Sequence, residues 1–300
     1  MKIETEKADC PLCGQFTIAK NLTVSTKDYS FETSDDDYCY VFCIRCRIYF
    51  LENRPIASEM KKIYPNNYSG WRQRSKFMYV MRRKNFESKY LNTMPALKSK
   101  VLDFGCGNGE FLASLRNSGS ELVGFDFSLG QIPKDLLENG AIAFTTSIED
   151  LQRHAPFDRI FLLQVIEHLP NPIELMNHLR TLLSDYGQII IETPSRTGWD
   201  SKIAPAKYWG GWHAPRHFHI WDQESLRNLS AKANLKITHI TYLPSPYQWA
   251  ETLKPRAPKF IKSTISSENV IFVSIFYLLD KLQILIRKKS SNMNVVFTKI

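Results

Sequence analysis

Val101-Leu-Asp-Phe-Gly-Cys-Gly-Asn-Gly-Glu-Phe-Leu112 is the stretch whose reading decides the fold. Val101 to Phe104 reads as a short buried strand, Gly105, Gly107 and Gly109 as a loop, and a helix is expected from about Glu110. Alternate glycines let a backbone turn sharply and lie against a ligand with no Cβ in the way. A dinucleotide-binding loop reads G-x-G-x-x-G. Here the third glycine arrives one residue early, and Glu110 stands where it would be. Asp103 heads the loop, and its carboxylate would repel a pyrophosphate but suits an ammonium group. The next apolar strand, Leu122-Val-Gly-Phe-Asp126, closes on a second carboxylate able to take both hydroxyls of a ribose. Together these features ask for a nucleoside joined to an amino acid, without phosphate.

Asp103-x-Gly105-x-Gly107-x-Gly109 and Asp126 resemble motifs of the class I S-adenosylmethionine (SAM) methyltransferases. The resemblance extends to Phe157-Asp158-Arg-Ile-Phe-Leu-Leu-Gln-Val-Ile-Glu167-His168-Leu-Pro-Asn-Pro172, which is similar to that family's fourth strand and the turn after it. Roughly residues 75 to 243 and the last strand are covered. The resemblance implies an α/β fold with a doubly wound, mostly parallel, Rossmann-like sheet, SAM as cofactor, and methyl transfer as the reaction. It implies that Asp103, Gly105, Gly107, Gly109 and Asp126 hold the cofactor, that Ser147 and Ile148 flank its adenine, and that Gln164 meets its methionine part. Some related enzymes that methylate quinone precursors carry an acid three residues before such a Glu-His pair and bind a metal there. Gln164 stands in that place, so no catalytic metal is expected.

The composition is that of an ordinary globular protein, 43% hydrophobic and 23% charged over 300 residues. A net charge of +9 favours an anionic partner: nucleic acid, a membrane surface or a phosphorylated substrate. Met1 to Asp9 is charged and has no apolar core, so no signal peptide is expected and the location expected is cytoplasmic. In a reducing compartment Cys-x-x-Cys pairs bind metal more often than they form disulfides.

Residues 1–56 form the first expected unit, a zinc-ribbon-like module. Cys10-Pro-Leu-Cys13-Gly14 and Cys43-Ile-Arg-Cys46 are two such turns, 29 residues apart. Four thiolates make a tetrahedral structural zinc site, which substitutes for the core that so short a segment cannot build. Cys39 belongs to neither turn and is left out of the ligand set; buried free cysteines are the other reading. A hairpin is expected between Thr17 to Ser25 and Tyr38 to Ile44. Residues 57–97 read as an aromatic turn, Tyr64 to Trp71, and a helix-like run from about Arg72 to Tyr90. That run is strongly basic: a phosphate-binding face or a solvated one.

Residues 98–243 alternate strand and helix, which implies a parallel sheet covered on both faces and a ligand site at the carboxyl ends of its strands. His168, with an ordinary pKa near neutrality, reads as a general base or as a residue that shapes the pocket through the backbone. Pro194 to Asp222 is a long irregular stretch holding Tyr208-Trp-Gly-Gly-Trp-His213-Ala-Pro-Arg216-His217-Phe-His219. It is expected to be a substrate lid, with Tyr208, Trp212, His213 and Arg216 on the acceptor and His217 in catalysis. Residues 244–300 are an apolar insertion and the last strand. Within it, 270–289 reads as a buried helix or as an interfacial one making peripheral membrane contact through its basic end. The acceptor expected is small or lipid-linked, a sugar being one instance. The second reading is an RNA methyltransferase that holds nucleic acid with its ribbon and basic helix. Against it, Gln164-Val-Ile-Glu167 replaces the Asn/Asp-Pro-Pro-aromatic motif of base amino methylation. Oligomeric state is not legible.

Overall fold

The computed structural model describes residues 2–15, 19, 22–64, 98–130, 132–138, 140–203 and 205–300. The basic run expected over 72–90 therefore lies outside the described residues. The amino-terminal part holds β1 (Thr5–Lys7), β2 (Val24–Thr26), β3 (Tyr38–Cys43), β4 (Ile48–Leu51) and β5 (Asn53–Pro55). β3 and β4 form an antiparallel hairpin, with Tyr40 opposite Leu51 and Cys43 opposite Ile48. Its turn is the second cysteine pair. The aromatic and β-branched run Tyr38-Cys-Tyr-Val-Phe-Cys43 suits a pleated, buried surface. The hairpin expected from 17–25 is present only as Val24–Thr26 against Tyr38 to Tyr40; residues 16–18, 20 and 21 lie outside the described residues.

A seven-stranded sheet follows, made of β6 (Lys100–Phe104), β7 (Glu121–Phe125), β8 (Ile142–Thr145), β9 (Phe157–Leu163) and β10 (Leu183–Pro194). After β11 (His219–Ile220), which lies elsewhere, β12 (Leu235–Leu243) and β13 (Asn292–Lys299) complete it. The spatial order is β12-β13-β10-β9-β6-β7-β8, and β13 runs antiparallel to both its neighbours. Short continuous apolar runs, such as Ile189 to Ile191 at 0% exposure, fit strands buried on both faces. The chain first winds outward from β6 to β8, then returns to lay β9 on the other side of β6. The reversal between β6 and β9 is the topological switch point, where such sheets open a crevice for ligands. The helices start on ordinary signals. Ser147 caps Ile148–His154, Pro172 opens Pro172–Leu182, and Asp222 with Ser225 forms a capping box on Gln223–Lys232.

The amino-terminal part and the sheet are joined through the 194–222 stretch. β11 pairs antiparallel with β4, so the stretch between β10 and β12 contributes an edge strand to the ribbon. Three residues before it, Arg216 donates to both oxygens of Asp28 at 3.0 and 2.9 Å, with both side chains at 0% exposure. The amide and hydroxyl of Thr33 also donate to Asp28. Burial pushes the Asp28 carboxyl up, but the Arg216 guanidinium outweighs it and holds the group below its usual range. The Tyr40 hydroxyl lies 2.8 Å from the carbonyl of Trp212 and 2.6 Å from that of His217.

This corrects the expected lid. Trp212 stacks on Tyr40 with ring centres 4.4 Å apart, and its indole N–H donates to the Ala206 carbonyl. Trp209, Trp212, Phe218, Ile220 and Trp221 are all buried. The stretch is a packed seam, and the Arg216 fork expected on an acceptor is taken by Asp28. Tyr208 sits at the seam's margin against Tyr29, ring centres 5.1 Å apart.

Breaking a buried pair by removing one partner leaves an uncompensated charge, at a cost of about 3–5 kcal/mol. Arg216→Ala and Asp28→Ala are each expected to lower the thermal unfolding midpoint strongly. The double variant should lose less than the two singles combined, as measured by calorimetric melting.

Candidate active site

At the carboxyl end of β6 the loop turns on Gly105, Gly107 and Gly109 at φ values of 81°, 54° and 73°, a region that disfavours side chains. A Cβ on Gly105 would also stand 2.6 Å from Val165 Cγ2, so β6 and β9 close up only over glycine there. The loop is stitched to the end of β7: the amides of Gly105 and Cys106 donate to the Phe125 carbonyl, and the amide of Gly107 donates to Asp126 Oδ2 at 2.9 Å. Burial raises the pKa of Asp126.

Asp103 is buried, and its Oδ1 has no hydrogen-bond partner among the described residues. Burial, with the charge of Asp126 second, pushes its carboxyl up to about 8. A buried orphan acceptor is costly unless something donates to it. A ligand ammonium beside Asp103 would supply the donor and restore the carboxylate. The glycine cradle, Asp103 and Asp126 thus fit SAM on geometry as well as on residue type.

The remaining expected cofactor residues lie around the same rim. Ser147 follows β8, and its hydroxyl oxygen accepts from the Asp150 amide as a helix cap. Ile148 packs against the main core. Gln164 ends β9 at φ 61°, and its amide group donates to Glu192 at 3.1 Å and to Asn292 at 3.0 Å. It ties the ends of β9, β10 and β13 together.

Beyond Gln164, Glu167 and His168 turn under the seam. Glu167 is fully buried; Oε2 accepts from the Thr193 hydroxyl at 3.0 Å, and Oε1 has no partner among the described residues. Burial pushes this carboxyl up to about 8. His168 Nδ1 lies 3.0 Å from the Arg216 carbonyl and 3.1 Å from the Tyr64 hydroxyl. A carbonyl only accepts, so Nδ1 carries the proton and Nε2 keeps the lone pair. His217 is held in the same tautomer by the Gly211 carbonyl, 2.8 Å from its Nδ1. Burial drives His168 down to about 4 and holds His217 and His213 well below the usual imidazole range, so all three are neutral at pH 7. The rings form a chain, His168 to His217 at 4.7 Å and His217 to His213 at 4.9 Å between centres.

Glu167, His168 and His217 bring ligand-type atoms within 4.8 Å of one another. A carboxyl with two neutral imidazoles can pass a proton, and it is also a donor set for a divalent cation. The sequence pointed to His168 and His217 singly. That His217 reaches the Glu167-His168 pair from across the seam is a tertiary fact. Tyr64 was missed as a site residue; its only sequence signal was an aromatic before proline.

A second cluster stands in the amino-terminal part. The sulfurs of Cys10, Cys13, Cys43 and Cys46 lie within 4.8 Å of one another, with Cys13 and Cys43 at 3.9 Å. The two turns match: the Gly14 amide donates to the Cys10 carbonyl at 2.9 Å and the Arg47 amide to the Cys43 carbonyl at 2.8 Å. Gly14 and Arg47 occupy the same left-handed position, at φ 63° and 57°. Cys39 is outside this group, opposite Ser25 in the ribbon.

A family model described as a methyltransferase domain matches residues 70–240. The chain belongs to the methyltransferase domain family. Among relatives of this chain, a ubiquinone biosynthesis O-methyltransferase of Dechloromonas aromatica is 33% identical over 32% of this chain and 45% of its own length. Another of that name from Haemophilus ducreyi is 24% identical over 46% and 64%. A tRNA U34 carboxymethyltransferase of Campylobacter hominis is 32% identical over 31% and 35%. The chain thus spans roughly a third to two thirds of the lengths of these relatives. A SAM-dependent methyltransferase structure from Archaeoglobus fulgidus overlays with a TM-score of 0.47 at 19% identity, over 75% of this chain and 100% of its own.

Asp126→Ala is expected to weaken SAM binding. Hydrogen bonds to a charged group contribute roughly 1.5–3 kcal/mol, so titration calorimetry should read a loss of about ten-fold or more. Unchanged affinity would remove Asp126 from the ribose.

Proposed function

We propose that this chain transfers the methyl group of SAM to a small or lipid-linked metabolite, a sugar being one instance. The observation that carries the reading is the orphaned Asp103 carboxyl under a left-handed glycine loop at the switch point. SAM supplies an electrophilic methyl on a sulfonium sulfur, and displacement on it asks the protein mainly for alignment. Asp103 binds the ammonium, the glycine loop lies against the cofactor with no Cβ in the way, Asp126 takes the ribose hydroxyls, and Ser147 and Ile148 flank the adenine. Gln164 holds the strand ends that face the methionine part.

An acceptor hydroxyl must lose its proton as its oxygen attacks. His168 is neutral and half-buried, with a fixed tautomer that leaves Nε2 unprotonated. It is the proposed base, and Glu167 and His217 are the groups behind it. General bases contribute typically 10²–10⁴-fold. His168→Ala should therefore lower turnover by about that range with SAM affinity nearly unchanged. Equal loss of SAM binding would make it a cofactor residue. The names of the relatives leave metabolite and RNA both open, and one assay separates them. SAM carrying a labelled methyl, incubated with the protein and a cell extract, is expected to label the small-molecule or lipid fraction. Label in ribonuclease-sensitive material would establish the RNA reading instead.

We also propose that the four cysteines hold one structural zinc, since four protein ligands leave no open position for chemistry. Metal analysis should find one zinc per chain, reduced in Cys13→Ser. Because β11 is part of the ribbon, removing the metal with a chelator should also lower the melting temperature of the whole chain. A full-length protein free of zinc would overturn the assignment.

A further inference from the structure

The helix Val270–Arg287 packs on the protein through Phe272, Val273, Phe276, Leu279 and Ile284, which are half-buried, and turns a second apolar stripe outward. Its buried side chains are Asp280 and Gln283, while Ile271, Ile275, Leu278, Leu282, Leu285 and Ile286 are 46% to 73% exposed. At 3.6 residues per turn these six recur three or four apart and fall within an arc of about 100°. The polar side is fixed to the protein. Asp280 accepts from the Ser245 amide at 2.6 Å and from the Trp249 indole N–H at 2.9 Å. The Gln283 amide group donates to Asp280, and its oxygen accepts from the Trp199 amide at 2.8 Å. Rolling the apolar stripe inward would strip a buried carboxylate of its donors, so the outward orientation is built in. Of the two readings of 270–289, this orientation goes against the buried helix.

Cations accompany the stripe. Residues 254–291 hold eight lysines and arginines against two acids, one of them the buried Asp280. Lys281 lies beside the stripe, Arg287, Lys288 and Lys289 end the helix, and the preceding helix Lys259–Lys262 exposes Phe260 at 83% between basic residues. No helix among the described residues is long and apolar enough to cross a membrane.

We propose that this face docks on an anionic lipid surface. The helix would lie in the plane of the headgroups, its stripe in the acyl boundary and its lysines and arginines on the phosphates. The charge decides between occupants: a second copy would set this strongly positive segment against itself, with Glu268 as its one exposed acid. The inference stands apart from the reaction, and its test reads no turnover. The full chain should sediment with vesicles of phosphatidylcholine mixed with phosphatidylglycerol and bind neutral phosphatidylcholine vesicles about ten-fold more weakly or less. Leu278→Asp with Leu282→Asp should abolish sedimentation while SAM affinity by calorimetry stays unchanged. Alanine at Arg287, Lys288 and Lys289 together should remove the preference for anionic vesicles. Absence of binding to either vesicle, equal binding to both, or binding that survives the aspartates would overturn the proposal. So would a dimer in sedimentation velocity that the aspartates dissociate without any vesicle binding in the wild type.

Discussion

The buried pair Asp28–Arg216 is the interaction on which the site's arrangement depends. It joins residues 188 positions apart, at zero exposure, through two parallel N–H···O bonds. Such geometry is demanding, because both charges lose their hydration and recover it only from each other and from nearby donors. Its consequence is local. With the Arg216 side chain held by Asp28, the Arg216 carbonyl is aimed at His168 and sets that imidazole's tautomer. One residue on, His217 is held between the Tyr40 hydroxyl and the Gly211 carbonyl. The amino-terminal part thus bears on the proposed chemistry through the backbone from which the histidines hang.

Burial then sets the charge states. Asp103 and Glu167 sit where water does not reach, and both carboxyls are pushed up to about 8. The histidines beside Glu167 are pushed the other way, so the turn that carries them holds mainly neutral groups. A neutral, desolvated setting leaves Asp103 responsive to a cationic ligand and leaves an imidazole lone pair free for a proton. The same physics orients the helix Val270–Arg287. Its polar side chains are the buried ones because they have donors waiting at Ser245, Trp249 and Trp199. The stripe from Ile271 to Ile286 is left outward, among cations.

Local pattern was sufficient for much of the fold. The strand over Val101 to Phe104 was legible to within one residue, because fully buried strands are short, apolar and bounded by turns. The glycine loop was legible because positive φ and close backbone approach leave little choice of residue. The paired cysteines were legible because a metal site is written in spacing. Each of these is a short-range constraint, satisfied within a dozen residues or by two matching motifs.

Long-range pairing decided the rest. Arg216 among tryptophans reads as an anion grip, and nothing near it in sequence announces Asp28, since charge complementarity carries no address. β11 is two residues long and becomes a strand only because β4 offers an unpaired edge. Tyr64 and His217 reach His168 from opposite directions along the chain. The run 270–289 has the composition of a core helix, and composition is blind to which side of a helix finds partners. The sequence by itself determined the sheet, the glycine loop and the cysteine cluster, since each is local. Only the tertiary structure decided which face of that helix meets solvent, that the presumed lid is a seam, and which groups converge on Glu167, because burial and partner choice are properties of the assembled chain.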